Sequence, residues 1–182
     1  MEGGPWAGYN VAFGDGEIMF KTAEEELPAS KPEAYEHLAA QLRALLEGER
    51  DFIANAANLS ALLFHSLPRL NWAGLYLHKG GGLVLGPFQG KPACVRIPVG
   101  QGVCGAAAEA RRTLVVPNVH DFPGHIACDT ASNSEIVVPL LDGDRLVGVL
   151  DLDSPAPSRF DDEDLVGLER LAQIFLDASD LS

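Results

Sequence analysis

Three carboxylates in the second half of the chain have a spacing that points to chemistry. The strings EIVVPLL and RLVGVLDLD flank Asp142-Gly143-Asp144, which is a strong signal for a β-hairpin. If these three residues form the loop, Glu135 faces Asp151 across the two strands, and Asp153 lies further along the same face. Like charges this close cannot all ionise, so the pKa of at least one carboxyl group should rise. A carboxylic acid kept neutral at about pH 7 could donate a proton to a polar substrate atom.

The alternation of side chains along RLVGVLDLD, the second strand of the predicted hairpin, decides whether this acidic patch forms. Both aspartates share a face with Val147 and Val149. The opposite, core-directed face carries Leu146, Leu150 and Leu152. The three-residue loop also requires Leu141 to face Arg145, whereas a two-residue loop over 142–143 would shift the register by one and break the arrangement. The competing interpretation is a solvated acidic face on a very acidic protein.

The three cysteines differ in their surroundings. Cys104 lies among small residues in GVCGAAA, which is typical of a buried apolar position, and Cys94 at the start of a predicted strand could also be structural. Cys128 lies in NVHDFPGHIACDTASN, residues 118–133, a long polar connection that fits neither helix nor strand. Because such loops often expose functional groups, Cys128 is the favoured reactive thiol. A sulfenic acid formed there needs a second cysteine to convert it into a disulfide.

A metal site is the competing interpretation of the same loop. His120, His125, Cys128 and Asp129 are all possible ligands. Their spacing matches no tight metal-binding pattern, and a flexible loop is a poor setting for a closed site. We therefore predict no metal and no other cofactor.

Two aromatic residues could form a pocket wall. Trp72 and Tyr76 in NWAGLYL are separated by an even number of positions and therefore share one face of a predicted strand. Core packing would account for both residues. The alternative is a wall that holds a small apolar group, such as a methyl bonded to a polarised sulfur.

The elements that must position these residues follow from hydrophobic periodicity. Three helices are predicted, one that begins near Pro32 and ends before Gly48, one capped by Asp51 and one capped by Asp161. A shorter helix over 102–112 and six strands lie between the second and third of them. The first four strands are NWAGLYL, GLVLGPF, ACVRIPV and TLVVP. This order predicts an α+β domain, a central antiparallel sheet with helices packed on one side.

Composition limits the class of protein. The chain has 182 residues, of which 47% are hydrophobic, enough for one well-buried core. Its net charge of −13 makes nucleic-acid or membrane-surface binding unfavourable. Three cysteines argue against a secreted disulfide framework and favour a reducing compartment. No apolar run approaches the roughly 20 residues of a membrane span, and no secretory signal is evident, so we predict a cytoplasmic location.

The first 31 residues differ in composition from the remainder. They are rich in Gly, Pro and Glu with scattered aromatics, and they suggest an extension that is either disordered or packed on the domain or a partner subunit. We predict an N-terminal extension over 1–31 and a catalytic domain over 32–182.

The sequence from about residue 32 resembles a known family. GKPACVRIPVGQGVCGAAAEARRTLVVPNVHDFPGHIACDTASNSEIVVPLL, followed by VGVLDLDSP and RFDDEDLVGLERL, is similar to the free methionine-(R)-sulfoxide reductases. The resemblance is specific, because ordinary GAF sensor domains do not combine all three cysteines with GHIACD and SEIVVP. It implies a single GAF domain, with a ligand cavity on the sheet face opposite the helices.

The resemblance also implies a substrate, free L-methionine (R)-S-oxide, and roles for the cysteines. Cys128 matches the position that attacks the sulfoxide sulfur and becomes a sulfenic acid. Cys94 matches the position that resolves it as a disulfide, and Cys104 matches a third, accessory cysteine. Thioredoxin is the implied reductant and a homodimer the implied assembly.

The family's substrate-binding residues have counterparts here as well. Glu135, Asp151 and Asp153 match its acidic cluster, while Trp72 and Tyr76 match aromatics near the methylthio end of the substrate. Reduction of a sulfoxide needs an acid for the S–O oxygen, and carboxylates could hold the α-ammonium of a free amino acid. The alternative is a non-catalytic GAF domain that senses a small molecule. Such sensors usually occur in longer chains beside an output domain, which favours the enzyme.

Overall fold

The computed structural model describes residues 27–124 and 130–182. The predicted reactive thiol of Cys128 lies outside the described residues, as do His125 and Asp129. Most of the predicted N-terminal extension, residues 1–26, also lies outside them.

The predicted helices are all present. They are α1 (Lys31–Leu45), α2 (Phe52–Ser66), the short α3 (Gly102–Ala110) and α4 (Asp162–Ala178). The Asp51 carboxylate accepts a hydrogen bond from the backbone N–H of Ala54 at 2.8 Å, and Asp161 forms a capping box with Asp164. Helix α3 is shorter than predicted, because Arg111 adopts a left-handed conformation with φ of 51° that ends it.

The six predicted strands form one antiparallel sheet. They are β1 (Trp72–Lys79), β2 (Gly82–Gly90), β3 (Arg96–Pro98), β4 (Leu114–Val116), β5 (Ser134–Asp142) and β6 (Arg145–Ser154). Their order is β3-β2-β1-β6-β5-β4, so β1 and β6 meet at the centre of the sheet. Strand β3 is shorter than the string ACVRIPV predicts, and Cys94 therefore lies in the loop before it.

The turn between β5 and β6 corrects the predicted three-residue loop. Asp142 pairs with Arg145, so the turn has only two residues, 143–144. Leu141 consequently faces Leu146 and not Arg145. A turn of this length would by itself place the aspartates of β6 on the face opposite to Glu135, because each one-residue shift moves side chains to the other face.

A β-bulge further along reverses this effect. Leu140 pairs with Gly148, whereas the next pair towards the turn is Leu141 with Leu146, so β6 carries one extra residue here, Val147. The bulge also shows that the faces predicted for Leu146 and Val147 were wrong. Leu146 packs on the same side of the sheet as Val149, and Val147 packs on the opposite side.

The register beyond the bulge differs from the prediction by two residues. Glu135 pairs with Asp153 and not with Asp151, which instead pairs with Val137. Since a shift of two leaves every side chain on its original face, Glu135, Asp151 and Asp153 still share one side of the sheet. The predicted cluster forms, although the predicted cross-strand partner was wrong.

Two apolar clusters cover the two faces of the sheet. The larger one packs α1, α2 and α4 against sheet residues such as Leu75, Ile136 and Leu150. The smaller one lies on the opposite face, where α3 covers part of the sheet, and it includes Trp72 and Tyr76. The three long helices therefore lie on one face as predicted, while α3 helps to form a pocket on the other.

A buried ionic cluster connects α1 to the start of α4. The Asp164 side chain, only 1% exposed, lies 3.1 Å from Nη1 of Arg159 and 2.6 Å from Nζ of Lys31. The hydroxyl of Tyr35 also donates to Asp164 at 2.8 Å. Because buried charges are costly unless they are paired, this cluster fixes how the two helices meet. Among the described residues, no helix is both long and apolar enough to cross a membrane.

Candidate active site

The acidic pocket is built on neighbouring strands of the sheet. Trp72 on β1, Asp153 on β6 and Glu135 on β5 lie opposite one another and form a row across three strands. Asp151 lies one row further along, where it pairs with Gly74 of β1. All three carboxylates line a single pocket with Trp72.

Burial determines the protonation of these carboxyl groups. Glu135 is 6% exposed and Asp151 is 5% exposed, while Asp153 is partly accessible. Burial raises the pKa of Glu135 well above its usual range, and the charges of Asp151 and Asp153 raise it further. Burial and the charge of Asp153 likewise raise the pKa of Asp151. The pocket therefore favours protonated carboxylic acids, as the predicted crowding implied.

One oxygen in the pocket has an unmet hydrogen-bonding capacity. Oδ1 of Asp151 is buried and has no hydrogen-bond partner among the described residues. Nearly all buried polar atoms in folded proteins have a partner, so such an atom usually marks a place for water, an ion or a ligand. This oxygen is therefore available to a bound molecule.

Helix α3 adds the thiol of Cys104 to the pocket. Its Sγ lies 3.7 Å from Oε1 of Glu135, the acceptor of a weak S–H hydrogen bond, and the residue is buried. Burial, with the charges of Asp151 and Glu135, raises the pKa of this thiol. Cys104 is thus a neutral thiol and a poor nucleophile, which agrees with the buried position that its small neighbours predict. The contact with Glu135 was not foreseen.

The aromatic wall of the pocket has three rings. Trp72 stacks on Tyr76 with ring centres 5.7 Å apart, as their shared strand face allows. It also stacks on Phe88, 5.4 Å away, a residue that the sequence analysis missed. Phe88 pairs with Gly74, and a side chain at Gly74 would come within 2.3 Å of Cβ of Phe88. A glycine in the middle of the apolar string NWAGLYL was the signal for this close approach.

The rim of the pocket comes mainly from the segment between β2 and β3. Further lining residues are Lys91, Pro92, Ala93, Ile97, Gly102, Val103 and Ser132. The backbone carbonyl of Lys91 accepts a hydrogen bond from Nε1 of Trp72 at 3.2 Å. The pocket has a cavity volume of about 40 Å³. This is several times the roughly 10–15 Å³ that a single ordered water requires.

The described cysteines are in different states. Cys94 is half-buried next to the pocket rim and is disulfide-bonded, whereas Cys104 is a free thiol. Of the four loop residues considered as metal ligands, His120 is the one within the described part of the chain. Its Nε2 lies 3.2 Å from Oδ1 of Asn133. A different group of possible ligands lies in the pocket, where ligand atoms of Cys104, Glu135 and Asp151 are all within 4.8 Å of one another.

Fold and pocket together define a class of protein. The six-stranded antiparallel sheet, with three helices on one face and a pocket on the other, matches the GAF domain family over residues 32–175. The α+β fold predicted from the sequence is confirmed.

Individual relatives narrow this class. The free methionine-R-sulfoxide reductase of Escherichia coli (strain K12) is 54% identical over 142 residues, which cover 78% of this chain and 86% of that protein. The structure of fRMsr of Staphylococcus aureus in complex with substrate has a TM-score of 0.76 at 51% identity, over 79% of this chain and 94% of that one. The structure of the free methionine-R-sulfoxide reductase from Neisseria meningitidis, also in complex with its substrate, has a TM-score of 0.80 at 42% identity. The match covers 83% of this chain and 91% of that one. The chain belongs to the free methionine-R-sulfoxide reductase family of oxidoreductases.

Proposed function

We propose that this protein reduces free L-methionine (R)-S-oxide to L-methionine. The observation that carries the proposal is the pocket in which Glu135, Asp151 and Asp153 converge beside the aromatic wall of Trp72 and Tyr76. The relatives named as free methionine-R-sulfoxide reductases support the same substrate.

The two sides of the pocket suit the two ends of this substrate. The α-ammonium of a free amino acid can donate charge-assisted hydrogen bonds to the carboxylates, and Asp151 Oδ1 is available as an acceptor. The methylthio end would lie against the aromatic rings, which offer an apolar surface. A methionine sulfoxide within a polypeptide has an amide instead of the ammonium, so these contacts select the free amino acid.

Glu135 is our candidate for the general acid. Its carboxyl group is buried and its pKa is raised, so it keeps its proton to a higher pH than an exposed glutamate does and can transfer that proton to the S–O oxygen. We assign the attacking thiolate to Cys128, following the family match of GHIACD. Attack on sulfur with protonation of oxygen moves the oxygen to the cysteine, so methionine leaves and Cys128 becomes a sulfenic acid.

We assign the resolving thiol to Cys94. Attack by Cys94 on the Cys128 sulfenic acid forms an intramolecular disulfide and releases water. The disulfide-bonded state of Cys94 and the buried, neutral thiol of Cys104 support this choice of resolver. Cys104 is then an accessory group that donates a hydrogen bond to Glu135. A dithiol such as thioredoxin would reduce the disulfide and return the enzyme to its starting state.

Assembly and location remain part of the proposal. We propose a homodimer in the cytoplasm, with residues 1–31 as an N-terminal extension and residues 32–182 as the catalytic domain. Recycling by thioredoxin requires the reducing compartment that the odd number of cysteines predicts.

The decisive experiment compares four substrates under one set of conditions. The purified protein and a thioredoxin system are incubated with the R and S epimers of free methionine sulfoxide and with the N-acetylated form of each. We expect consumption of the free R epimer alone. Reduction of the N-acetyl R epimer at a similar rate would contradict the role of the acidic cluster, and binding without any reduction would favour the sensor alternative.

Cysteine variants separate the proposed roles. Cys128→Ser should lose even a single turnover, whereas Cys94→Ser should complete one stoichiometric turnover and then fail to be recycled by thioredoxin. Product formation by Cys128→Ser would overturn the assignment of the nucleophile. Full recycling of Cys94→Ser would transfer the resolving role to Cys104.

A further inference from the structure

We propose that the pocket also binds a borderline-soft divalent cation, Zn²⁺ being the preferred example, through Cys104, Glu135 and Asp151. Ligand atoms of these three residues lie within 4.8 Å of one another, and all three side chains are buried. They come from three separate elements, α3, β5 and β6, so the sheet and the helix hold them in place without any mobile loop.

The spacing of the sulfur and oxygen atoms suits tetrahedral coordination. Bonds of about 2.3 Å to sulfur and about 2.1 Å to oxygen at a tetrahedral angle put the two ligand atoms about 3.6 Å apart. The observed distance between Sγ of Cys104 and Oε1 of Glu135 is 3.7 Å. Little movement of the protein is therefore needed for both atoms to reach one ion.

A second observation points independently to a ligand at this place. Oδ1 of Asp151 is buried without a hydrogen-bond partner among the described residues, and the Asp151 side chain lines the pocket. A cation would complete the coordination of this oxygen, and two carboxylates with one thiolate would offset its charge. The fourth position faces the pocket and would hold water.

The mixed ligand set selects the kind of metal. Thiolate is a soft ligand that Zn²⁺ accepts, whereas Mg²⁺ and Ca²⁺ prefer sites made of oxygen alone. Binding requires that the Cys104 S–H proton and any proton held by the carboxyl groups of Glu135 and Asp151 leave to solvent, because a thiolate and two carboxylates are the ligands. The ion would occupy the space of the substrate ammonium, so metal and free amino acid should exclude each other. This competition rests on the proposed function, but the metal site itself does not.

Co²⁺ is a suitable spectroscopic probe, because its bond to a thiolate produces an intense near-ultraviolet charge-transfer band. Protein without added reductant is titrated with Co²⁺, and Zn²⁺ should then displace the band. Cys104→Ala should abolish it, and Asp151→Asn should weaken Co²⁺ binding at least tenfold. Asp153→Asn is the matched control, since it makes the same Asp-to-Asn change in the same pocket without removing one of the three ligands. It should keep the band and most of the affinity.

The outcomes distinguish this inference from the proposed function. A band that persists in Cys104→Ala, or equal losses of affinity in Asp151→Asn and Asp153→Asn, would overturn the metal site. No band in a wild-type protein that reduces the free sulfoxide would overturn the metal site alone. A Cys104-dependent band in a protein that reduces no sulfoxide would support the metal site and contradict the proposed function. Free methionine sulfoxide should weaken the Co²⁺ band by competing for the pocket. A band of unchanged intensity at saturating sulfoxide would contradict this competition.

Discussion

Replacement of Glu135 by glutamine should stabilise the fold and at the same time slow the reaction. Glutamine has nearly the same shape and keeps an oxygen that can accept the hydrogen bond of Cys104, but it cannot ionise. Each pKa unit by which a buried acid exceeds its unfolded value costs the ionised protein about 1.4 kcal/mol. Because burial raises the pKa of Glu135, we expect the free energy of unfolding to rise by at least about 1 kcal/mol at about pH 7.5. For a chain of this length, that corresponds to a Tm increase of roughly 2–4 °C.

The sign of the pH dependence follows from where the proton is held more tightly. The folded wild type binds the Glu135 proton more strongly than the unfolded chain does, so its stability falls as the pH rises above about 4.3, the ordinary pKa of glutamate. Glu135→Gln cannot ionise at this position, so its free energy of unfolding does not decrease with pH for this reason. Its advantage should be close to zero at about pH 4 and should increase through neutral pH.

The assay combines unfolding with single-turnover kinetics. Urea unfolding of both proteins from about pH 4 to 8 gives the stability difference, and single turnover of the free sulfoxide should slow by roughly 10²–10⁴-fold, the usual contribution of a general acid. Glu109→Gln, at an exposed position of α3, is the control and should change stability by less than about 0.5 kcal/mol. A destabilised Glu135→Gln, or a gain that is constant with pH, would refute the reasoning. Either result would mean that Glu135 is ionised and compensated in the folded protein.

Three further substitutions test other parts of the structure. Asp164→Asn should lower the free energy of unfolding by about 3 kcal/mol, because it leaves Arg159 buried without its charge partner; a loss under about 1 kcal/mol in urea unfolding would contradict this. Gly167→Ala should cost about 1–3 kcal/mol, since a Cβ there would lie 2.2 Å from the ring of Tyr35, and an unchanged Tm would disprove the close contact. Trp72→Ala should raise KM for the free sulfoxide by roughly tenfold, and a fall in kcat at constant KM would place its role in the chemical step instead.

Local patterns predicted the elements well because local physics determines them. The caps at Asp51 and Asp161 and the apolar spacing that follows each of them depend on contacts within a few residues. The faces of Trp72, Tyr76 and Glu135 follow from alternation along single strands. These parts of the fold and of the site could therefore be derived from the sequence.

Features that depend on distant pairing could not be derived in this way. The turn and the bulge between β5 and β6 each shift the register by one residue, and the sequence signals neither of them clearly. The distance between Cys104 and Glu135 depends on how α3 lies across the sheet. Lys31 and Asp164 are 133 positions apart, so their contact becomes visible only in the folded chain.

The extra residue Val147 makes the effect of a deletion in β6 depend on where the deletion falls. Because Leu141 pairs with Leu146 and Leu140 pairs with Gly148, removing Val147 would leave every other cross-strand pair intact and would only straighten the strand. Removing Val149 would instead force either a slide of the rest of β6 or a reversal of which side chains face the cavity. In the second case Leu152 would take the place of Asp151, so an apolar side chain would replace an ionisable one. A deletion at Val147 should therefore be tolerated far better than a deletion at Val149.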